Sequence, residues 1–121
     1  MSEQEVPESI GRIEIAPEVL TTIVYLTTLD VEGVNKMAPV PPDVSRLFRK
    51  SSGREGIILH YADGTIHFDI YVMMDPHVNV LETSKKVQEA VAEAIDKMVG
   101  LSVETVNVHV EDVIYTLDET A

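Results

Sequence analysis

The sequence predicts an α+β domain in which two helices pack on one face of a small, mostly antiparallel sheet, in the order β-α-(β)-β-β-α-β. Apolar residues between Asn79 and Gly100 recur every three or four positions, as on one face of a helix. After Gly100, valines alternate with polar residues, which is the period of a half-buried strand. Two more alternating stretches flank Asp63-Gly64, a preferred two-residue turn of a β-hairpin.

The composition is that of a single folded domain. The chain has 121 residues, enough to bury a substantial core, and 45% of them are hydrophobic. No apolar run approaches the ~20 residues that span a membrane, and the acidic start lacks the pattern of a secretion signal. We therefore expect a cytoplasmic protein without direct membrane insertion. The absence of cysteine excludes disulfides, thiolate zinc sites and cysteine nucleophiles.

The net charge of -12 is the strongest global signal in the sequence. It disfavours nucleic acid, which proteins bind through cations that contact phosphates, and it disfavours anionic lipid. It favours a basic partner. A high charge also keeps a protein in solution, and the sequence does not separate these two interpretations.

The first thirty residues predict a tail, a strand and a helix. Residues 1–9 are acidic and without periodicity, which predicts a mobile tail. Ile10–Ile15 alternates and predicts a short strand. Pro17 suits the first turn of a helix that we extend to about Leu29, although its β-branched residues also fit a strand. The predicted apolar face of this helix consists of Val19, Leu20, Ile23, Val24 and Leu26.

The next stretch, rich in proline, predicts loops with little regular structure. Asp30–Val34 predicts a turn or a short strand, and Asp43 is placed to cap a brief helix. Four of the nine basic residues follow in this loop. A solvated loop is the simpler interpretation, and an anion contact is the alternative. The four residues are Arg46, Arg49, Lys50 and Arg54.

The hairpin turn fixes the register of two strands. Counting outward from Asp63-Gly64 pairs Ala62 with Thr65 and ends with Ile57 opposite Ile70. The side chains then separate into two sets. The core side is predicted to hold Ile57, Leu59, Tyr61, Ile66, Phe68, Ile70, Val72 and Met74. The opposite side is predicted to hold Ile58, His60, His67, Asp69, Tyr71 and Met73.

The second helix carries clear end signals. Asn79 with Glu82 has the form of a capping box, and Gly100 suits the left-handed residue that closes a helix. Val103 is out of phase with the valines that follow, so we predict a connector over Leu101–Glu104 and a strand from about Thr105. The domain is predicted to span residues 10–115, with a frayed end at 116–121. The predicted buried stripe of the helix is Val80, Ser84, Val87, Val91, Ala94, Ile95 and Met98.

Five segments together resemble the bacterial alkaline-shock-protein family over roughly residues 10–115. The resemblance implies a small, non-catalytic cytoplasmic protein of the envelope stress response or of envelope homeostasis. It also implies self-assembly or a membrane-anchored partner, and for some relatives a link to fatty-acid metabolism. It supplies no catalytic residues and no cofactor. The segments are Gly11–Val19, Val31–Val34, Val87–Val91, Met98–Leu101 and Val106–Val110.

The residues themselves offer one candidate interface and one candidate site. Apolar residues on an open sheet face commonly mark contacts, so we predict that the set Ile58, His60, His67, Asp69, Tyr71 and Met73 forms an interaction surface. Opposed histidines at 60 and 67 are close enough to sense pH or, with Asp69 or His109, to bind a metal. Exposed histidines without a ligand are the more common case, so we predict no metal and no cofactor.

Three functional hypotheses follow from these observations. The first is an interaction protein that forms homo-oligomers or docks to a membrane-anchored or metabolic partner. The second is a sensor of a small ligand, metal or pH on the face that carries the histidines. The third, an enzyme, has the least support because the sequence contains no phosphate-binding loop, nucleophile elbow or zinc helix.

Overall fold

The structure, a computed structural model, describes residues 10–47 and 55–114, with the backbone only at 45–47. The predicted tail at 1–9 and frayed end at 116–121 lie outside these ranges, as do Arg49, Lys50 and Arg54 of the basic loop. The elements are α1 (Pro17–Leu29), β1 (Val34–Met37), α2 (Pro42–Leu47), β2 (Ile57–Ala62), β3 (Thr65–Met74), α3 (Val80–Val99) and β4 (Val103–Val113). The α+β class is confirmed.

The sheet is organised around β3. β2 pairs antiparallel with the first part of β3, from Thr65 to Ile70, and β1 pairs antiparallel with its end. β4 pairs parallel along nearly the whole of β3. Because β4 occupies one side of β3, β1 and β2 follow one another along the other side. A parallel pair needs a crossover connection, and α3 provides it.

The hairpin forms in the predicted register. All six pairs from Ala62–Thr65 to Ile57–Ile70 are present. Asp63 and Gly64 have φ angles of 55° and 77°, so both central residues adopt the left-handed backbone of a type I′ turn. The Asp-Gly pair therefore determines which side chains share a face.

The core lies between the sheet and the two long helices. Seven of the eight residues predicted for the core side of the hairpin are buried there; Tyr61 is the exception, because it lies near the turn and its side chain is 58% exposed. The helices contribute Leu20 and Val24 from α1 and three residues from α3. The buried cluster consists of Leu20, Val24, Val34, Met37, Ile57, Leu59, Ile66, Phe68, Ile70, Val72, Met74, Val87, Val91 and Ile95.

The α3 helix has the predicted ends but a narrower buried stripe. The Asn79 side chain accepts a hydrogen bond from the Glu82 amide at 2.9 Å, and Gly100 is left-handed. The predicted stripe is wrong at Val80 and Met98, which are exposed near the two ends of the helix. Burial along α3 follows a single row of residues spaced by four. The row is Thr83, Val87, Val91 and Ile95.

β4 begins earlier than predicted. Val103 pairs with Ile66, and the register then shifts so that Thr105 pairs with His67. This irregularity absorbs one residue and lets Val103 and Val106 both pack against the core. Val103 is out of phase with the later valines because of this bulge, and not because it belongs to a connector. Gln88 of α3 donates to the carbonyl oxygen of Val106 at 2.9 Å and ties the helix to the strand.

The α1 helix has the predicted bounds, but the strand predicted before it is wrong. Residues 11–16 form no ladder with any described strand, and Ile13 is 91% exposed. Alternating apolar and polar residues indicate an extended backbone, but a β-strand also requires a neighbouring strand with which it forms hydrogen bonds. Within α1, Leu20, Thr21, Val24 and Thr28 are buried, whereas Val19 and Leu26 point outward.

Part of the reverse face of the sheet is covered by a loop. The segment from Ala38 to Val44, which includes the start of α2, packs on Ile58, Tyr71 and Met73. Ile58 and Tyr71 are only 2% and 4% exposed, so the prediction of an open face is wrong at these positions. The proline-rich loop predicted as irregular is what covers them. The loop lies close to the sheet, with the Ala38 amide donating to the Tyr71 carbonyl at 2.8 Å.

Candidate functional site

The uncovered part of the reverse face carries a strip of polar side chains from three strands. β2 contributes His60, β3 contributes His67 and Asp69, and β4 contributes His109. The hairpin register places His60 opposite His67, and the parallel register places Thr105, Asn107 and His109 beside successive outward residues of β3. We call this set the polar strip; it consists of His60, Thr65, His67, Asp69, Thr105, Asn107 and His109.

His67 is held at the centre of the first half of the strip. Its Nε2 lies 2.7 Å from the Thr65 hydroxyl and its Nδ1 lies 2.8 Å from the Thr105 hydroxyl. The His60 ring stacks on it, with centroids 5.2 Å apart and planes inclined by 15°. Both nitrogens of His67 are therefore engaged, and a metal ion would have to displace one of the threonines.

Asp69 links the strip across all three strands. Its Oδ1 accepts from His109 Nε2 at 2.8 Å and from Asn107 Nδ2 at 3.3 Å. His60 Nε2 lies 3.7 Å from the other carboxylate oxygen. From its position on β3, the Asp69 carboxylate therefore contacts side chains of both β2 and β4.

The geometry does not favour a metal centre. The two imidazoles approach different oxygens of Asp69 instead of converging on one point. Across residues 10–47 and 55–114, no group of three or more histidines, aspartates or glutamates is arranged to hold a metal ion. A zinc site needs three or four convergent ligands.

Tyr71 joins the strip to the covered part of the face. Its ring stacks on His109, with centroids 4.3 Å apart and planes inclined by 9°. Burial raises the pKa of the Tyr71 hydroxyl above its ordinary value of 10.0, and the charges of Asp69 and Glu111 raise it further. The ring therefore stays neutral under ordinary conditions and acts as a packing surface for the histidine.

A second candidate surface lies on the outer side of α1. This helix contains a single charged residue, Glu18, in thirteen positions. Val19 and Leu26 are 46% and 60% exposed, and Met98 of α3 is 69% exposed. With Ile23 they line an open, shallow apolar groove between the two helices. We call this set the α1 surface; it consists of Val19, Ile23, Leu26 and Met98.

The comparisons with known proteins identify the family. Residues 5–115 match the alkaline shock protein family, which is described by a cell envelope-related function. The chain belongs to the alkaline shock protein family. This confirms the resemblance seen in the sequence, because the match extends over nearly the whole chain. Within the described ranges, no helix of this family member has the length and apolar composition to cross a membrane.

Relatives of this alkaline shock protein family member share most of its length. Two uncharacterized proteins of Streptococcus pyogenes, Spy1535 and Spy1614, are 34% and 30% identical to it. The alignments cover 88% and 85% of this chain and 82% and 88% of those proteins. Among solved structures, MamM V260R is similar with a TM-score of 0.50 and 17% identity, over 82% of this chain and 99% of that one. That likeness concerns the fold alone.

The predicted site residues thus fall into three groups. The structure brings His60, His67 and Asp69 together, as the hairpin register predicts. It buries Ile58 and Tyr71, and it leaves the side chain of Arg46 undescribed. His109, Thr105 and Asn107 complete the strip. From the sequence, His109 is only a possible ligand beside the histidine pair, and Thr105 and Asn107 are not singled out. Their alternation on β4 is visible in the sequence, but the parallel pairing that aligns them with β3 is not.

Proposed function

We propose that the chain is a non-enzymatic cytoplasmic interaction protein with a cell envelope-related role, acting by self-association and by docking to other proteins. The α1 surface carries this proposal. Within the part of the chain that the structure describes, Val19 and Leu26 of α1 are 46% and 60% exposed, whereas Leu20 and Val24 of the same helix are buried. Contiguous exposed apolar side chains of this kind commonly mark protein contacts.

Charge favours the α1 surface as the contact between copies. The chain carries a net charge of -12, so two copies repel one another through most of their surfaces. Among the described residues that line the groove of the α1 surface, Glu18 is the only charged one, so little of this repulsion arises where apolar area is available for burial. A second copy is therefore the simplest occupant, since it offers the same charge-poor stripe.

Sedimentation velocity of two matched variants tests this proposal. Leu26→Glu places a charge within the α1 surface and should shift the wild-type oligomer towards monomer. Leu81→Glu is the control, because Leu81 is similarly exposed, at 64%, but lies at the opposite end of α3. It should leave the sedimentation coefficient unchanged. A wild-type chain that is monomeric at high concentration, or two variants that behave alike, would contradict the proposal.

Docking to a membrane-anchored partner is a further part of the proposal. A partner with a basic segment beside the membrane would complement the acidic chain. Binding of a lysine-rich peptide to the full chain, measured by fluorescence anisotropy, should weaken as salt rises from low to physiological concentration. A matched peptide with lysine replaced by glutamate should not bind. Salt-independent binding would argue against charge complementarity.

The polar strip supports a second candidate function, a sensor of protons or metal. The contact of one carboxylate with two imidazoles is the observation in its favour. The engaged nitrogens of His67 argue for a structural role, and we therefore expect zinc to leave the melting temperature unchanged. A large rise with zinc that His67→Ala abolishes would establish the sensor in place of the structural role.

A further inference from the structure

The residues immediately before α1 alternate in sequence as a strand does, but residues 11–16 belong to no strand or helix of the part of the chain that the structure describes. We call residues 10–16 the arm. Arg12 and Glu14 form an ion pair at 2.9 Å, so their side chains share one side of the extended backbone. Ile13 and Ile15 therefore lie on the other side, and they are 91% and 42% exposed. The arm offers an apolar side and a polar side, and its backbone forms no ladder with any strand among residues 10–47 and 55–114.

Among the strands that the structure describes, β4 lies at an edge of the sheet. It is eleven residues long and, within the part of the chain that the structure describes, pairs with β3 only. Its apolar residues Val106, Val108 and Val110 are half-buried, whereas their neighbours Phe68, Ile70 and Val72 on β3 are fully buried. A long edge strand of this kind is a template for an added strand.

We propose that the arm of one copy adds as an outer strand to β4 of a second copy. The proposal rests on the self-association proposed above and specifies one contact that forms it. In this arrangement Ile13 and Ile15 extend the apolar side formed by the β4 valines. Arg12 and Glu14 join the polar side, next to Asn107 and His109. Each unpaired backbone then supplies hydrogen bonds to the other.

Charge distinguishes the arm from the other possible partner of β4, which is β4 itself. β4 contains Glu104, Glu111 and Asp112 and no lysine or arginine. A full-length antiparallel pairing of two β4 strands would place Glu104 opposite Asp112, and like charges directly opposite one another destabilise a sheet. The arm carries one cation, Arg12, and one anion, Glu14, so it adds no net charge to this acidic edge.

Cross-linking in a chain that naturally lacks cysteine tests the proposal directly. Full-length Glu14→Cys and Asn107→Cys are mixed in equal amounts and treated with a short bis-maleimide. Mass spectrometry of the linked peptides should show a link between residue 14 of one chain and residue 107 of the other. The control is Glu14→Cys with Lys86→Cys, because residue 86 is exposed on α3 and away from the proposed contact. It should give no specific link.

The remaining outcomes separate this inference from the proposed function. If wild-type chains associate but the 14–107 link is absent, the arm contact is wrong and self-association stands. If the wild type is monomeric at the cross-linking concentration, both fail. If a chain carrying both cysteines links within itself at high dilution, the arm binds its own β4 and the exchange between copies is wrong. Ile13→Lys should weaken association roughly tenfold or more if the arm is buried.

Discussion

The two faces of the sheet are stabilised in different ways. Among the described residues, nine strand side chains on the face under α1 and α3 join five side chains of those helices in one continuous buried cluster. On the reverse face, Ile58 and Tyr71 are buried beneath a loop that begins with the buried Ala38, and beside them lies a polar strip held by hydrogen bonds. The first face depends on apolar area removed from water, and the second on a loop and on specific polar contacts. Similar burial of two residues therefore need not mean similar contributions to stability.

Ile57 and Ile58 provide the sharpest test of this difference. They are consecutive, both are 2% exposed, and they point to opposite faces. Ile57→Ala should lower the free energy of unfolding by about 3.5 kcal/mol, because the packed cluster cannot close the cavity. Ile58→Ala should cost about 2 kcal/mol, since the loop above it can move inward. Urea denaturation measures both, and equal costs would show that the loop is as rigid as the helices.

Gly56 tests how closely the loop lies on the reverse face. A Cβ atom at this position would lie 2.8 Å from the carbonyl oxygen of Ala38 and 3.0 Å from that of Tyr71, and the φ angle is 82°. Gly56→Ala should therefore cost about 2 kcal/mol, through both strain and crowding.

Gly64→Ala is the matched control for that substitution. Gly64 has a φ angle of 77° and no neighbouring atom within 4 Å of a Cβ atom, so only the strain remains. Its cost should be about 1 kcal/mol in the same urea experiment. Equal costs for the two substitutions would mean that the loop does not press on Gly56.

Asp69 tests the contribution of the polar strip. Asp69→Ala removes the acceptor of His109 and Asn107, and it should lower the free energy of unfolding by about 1 kcal/mol, since the strip is partly exposed. Glu104→Ala, at an exposed position on β4, is the control and should change the free energy of unfolding little. If thermal unfolding shows the two variants to be alike, the strip contributes nothing to stability.

Tyr71 gives the smallest effect, and it depends on pH. Because the pKa of its hydroxyl is raised in the folded chain, mainly by burial and then by Asp69 and Glu111, the folded state holds this proton more tightly than the unfolded state. The stabilisation of the folded state that comes from this raised pKa is complete below the ordinary pKa of 10.0. It is lost as the pH rises through the pKa of Tyr71 in the folded chain. Tyr71→Phe should lose less stability than wild type over that range. Parallel pH curves would show that Tyr71 is not responsible.

Much of the fold could be predicted from the sequence because its strongest signals are local. The Asp63-Gly64 turn determined six strand pairs, and Asn79 with Gly100 determined the ends of α3. Each of these depends on residues only a few positions apart. The predictions for Ile58 and Tyr71 failed because the alternation of a strand says which side a residue faces and not what lies above it. The covering loop comes from residues 38–44, which carry no periodic pattern.

The candidate site was predictable only as far as the hairpin extends. His60, His67 and Asp69 follow from counting outward from the turn, whereas His109 reaches Asp69 from forty positions away in the chain. The arm failed as a strand prediction for a different reason. Its residues alternate in the sequence, and Arg12 and Glu14 form an ion pair, but the described chain supplies no neighbouring strand for it.

The parallel pairing of β3 with β4 also has a consequence for the order of assembly. The hairpin closes over two residues, whereas β4 meets β3 only after the whole of α3 has been traversed. Closing that longer loop costs more entropy before any ladder contact is gained, so it slows the final step. We therefore expect the hairpin to form first during folding. The edge of β3 that pairs with β4 should stay unpaired until β4 adds to it.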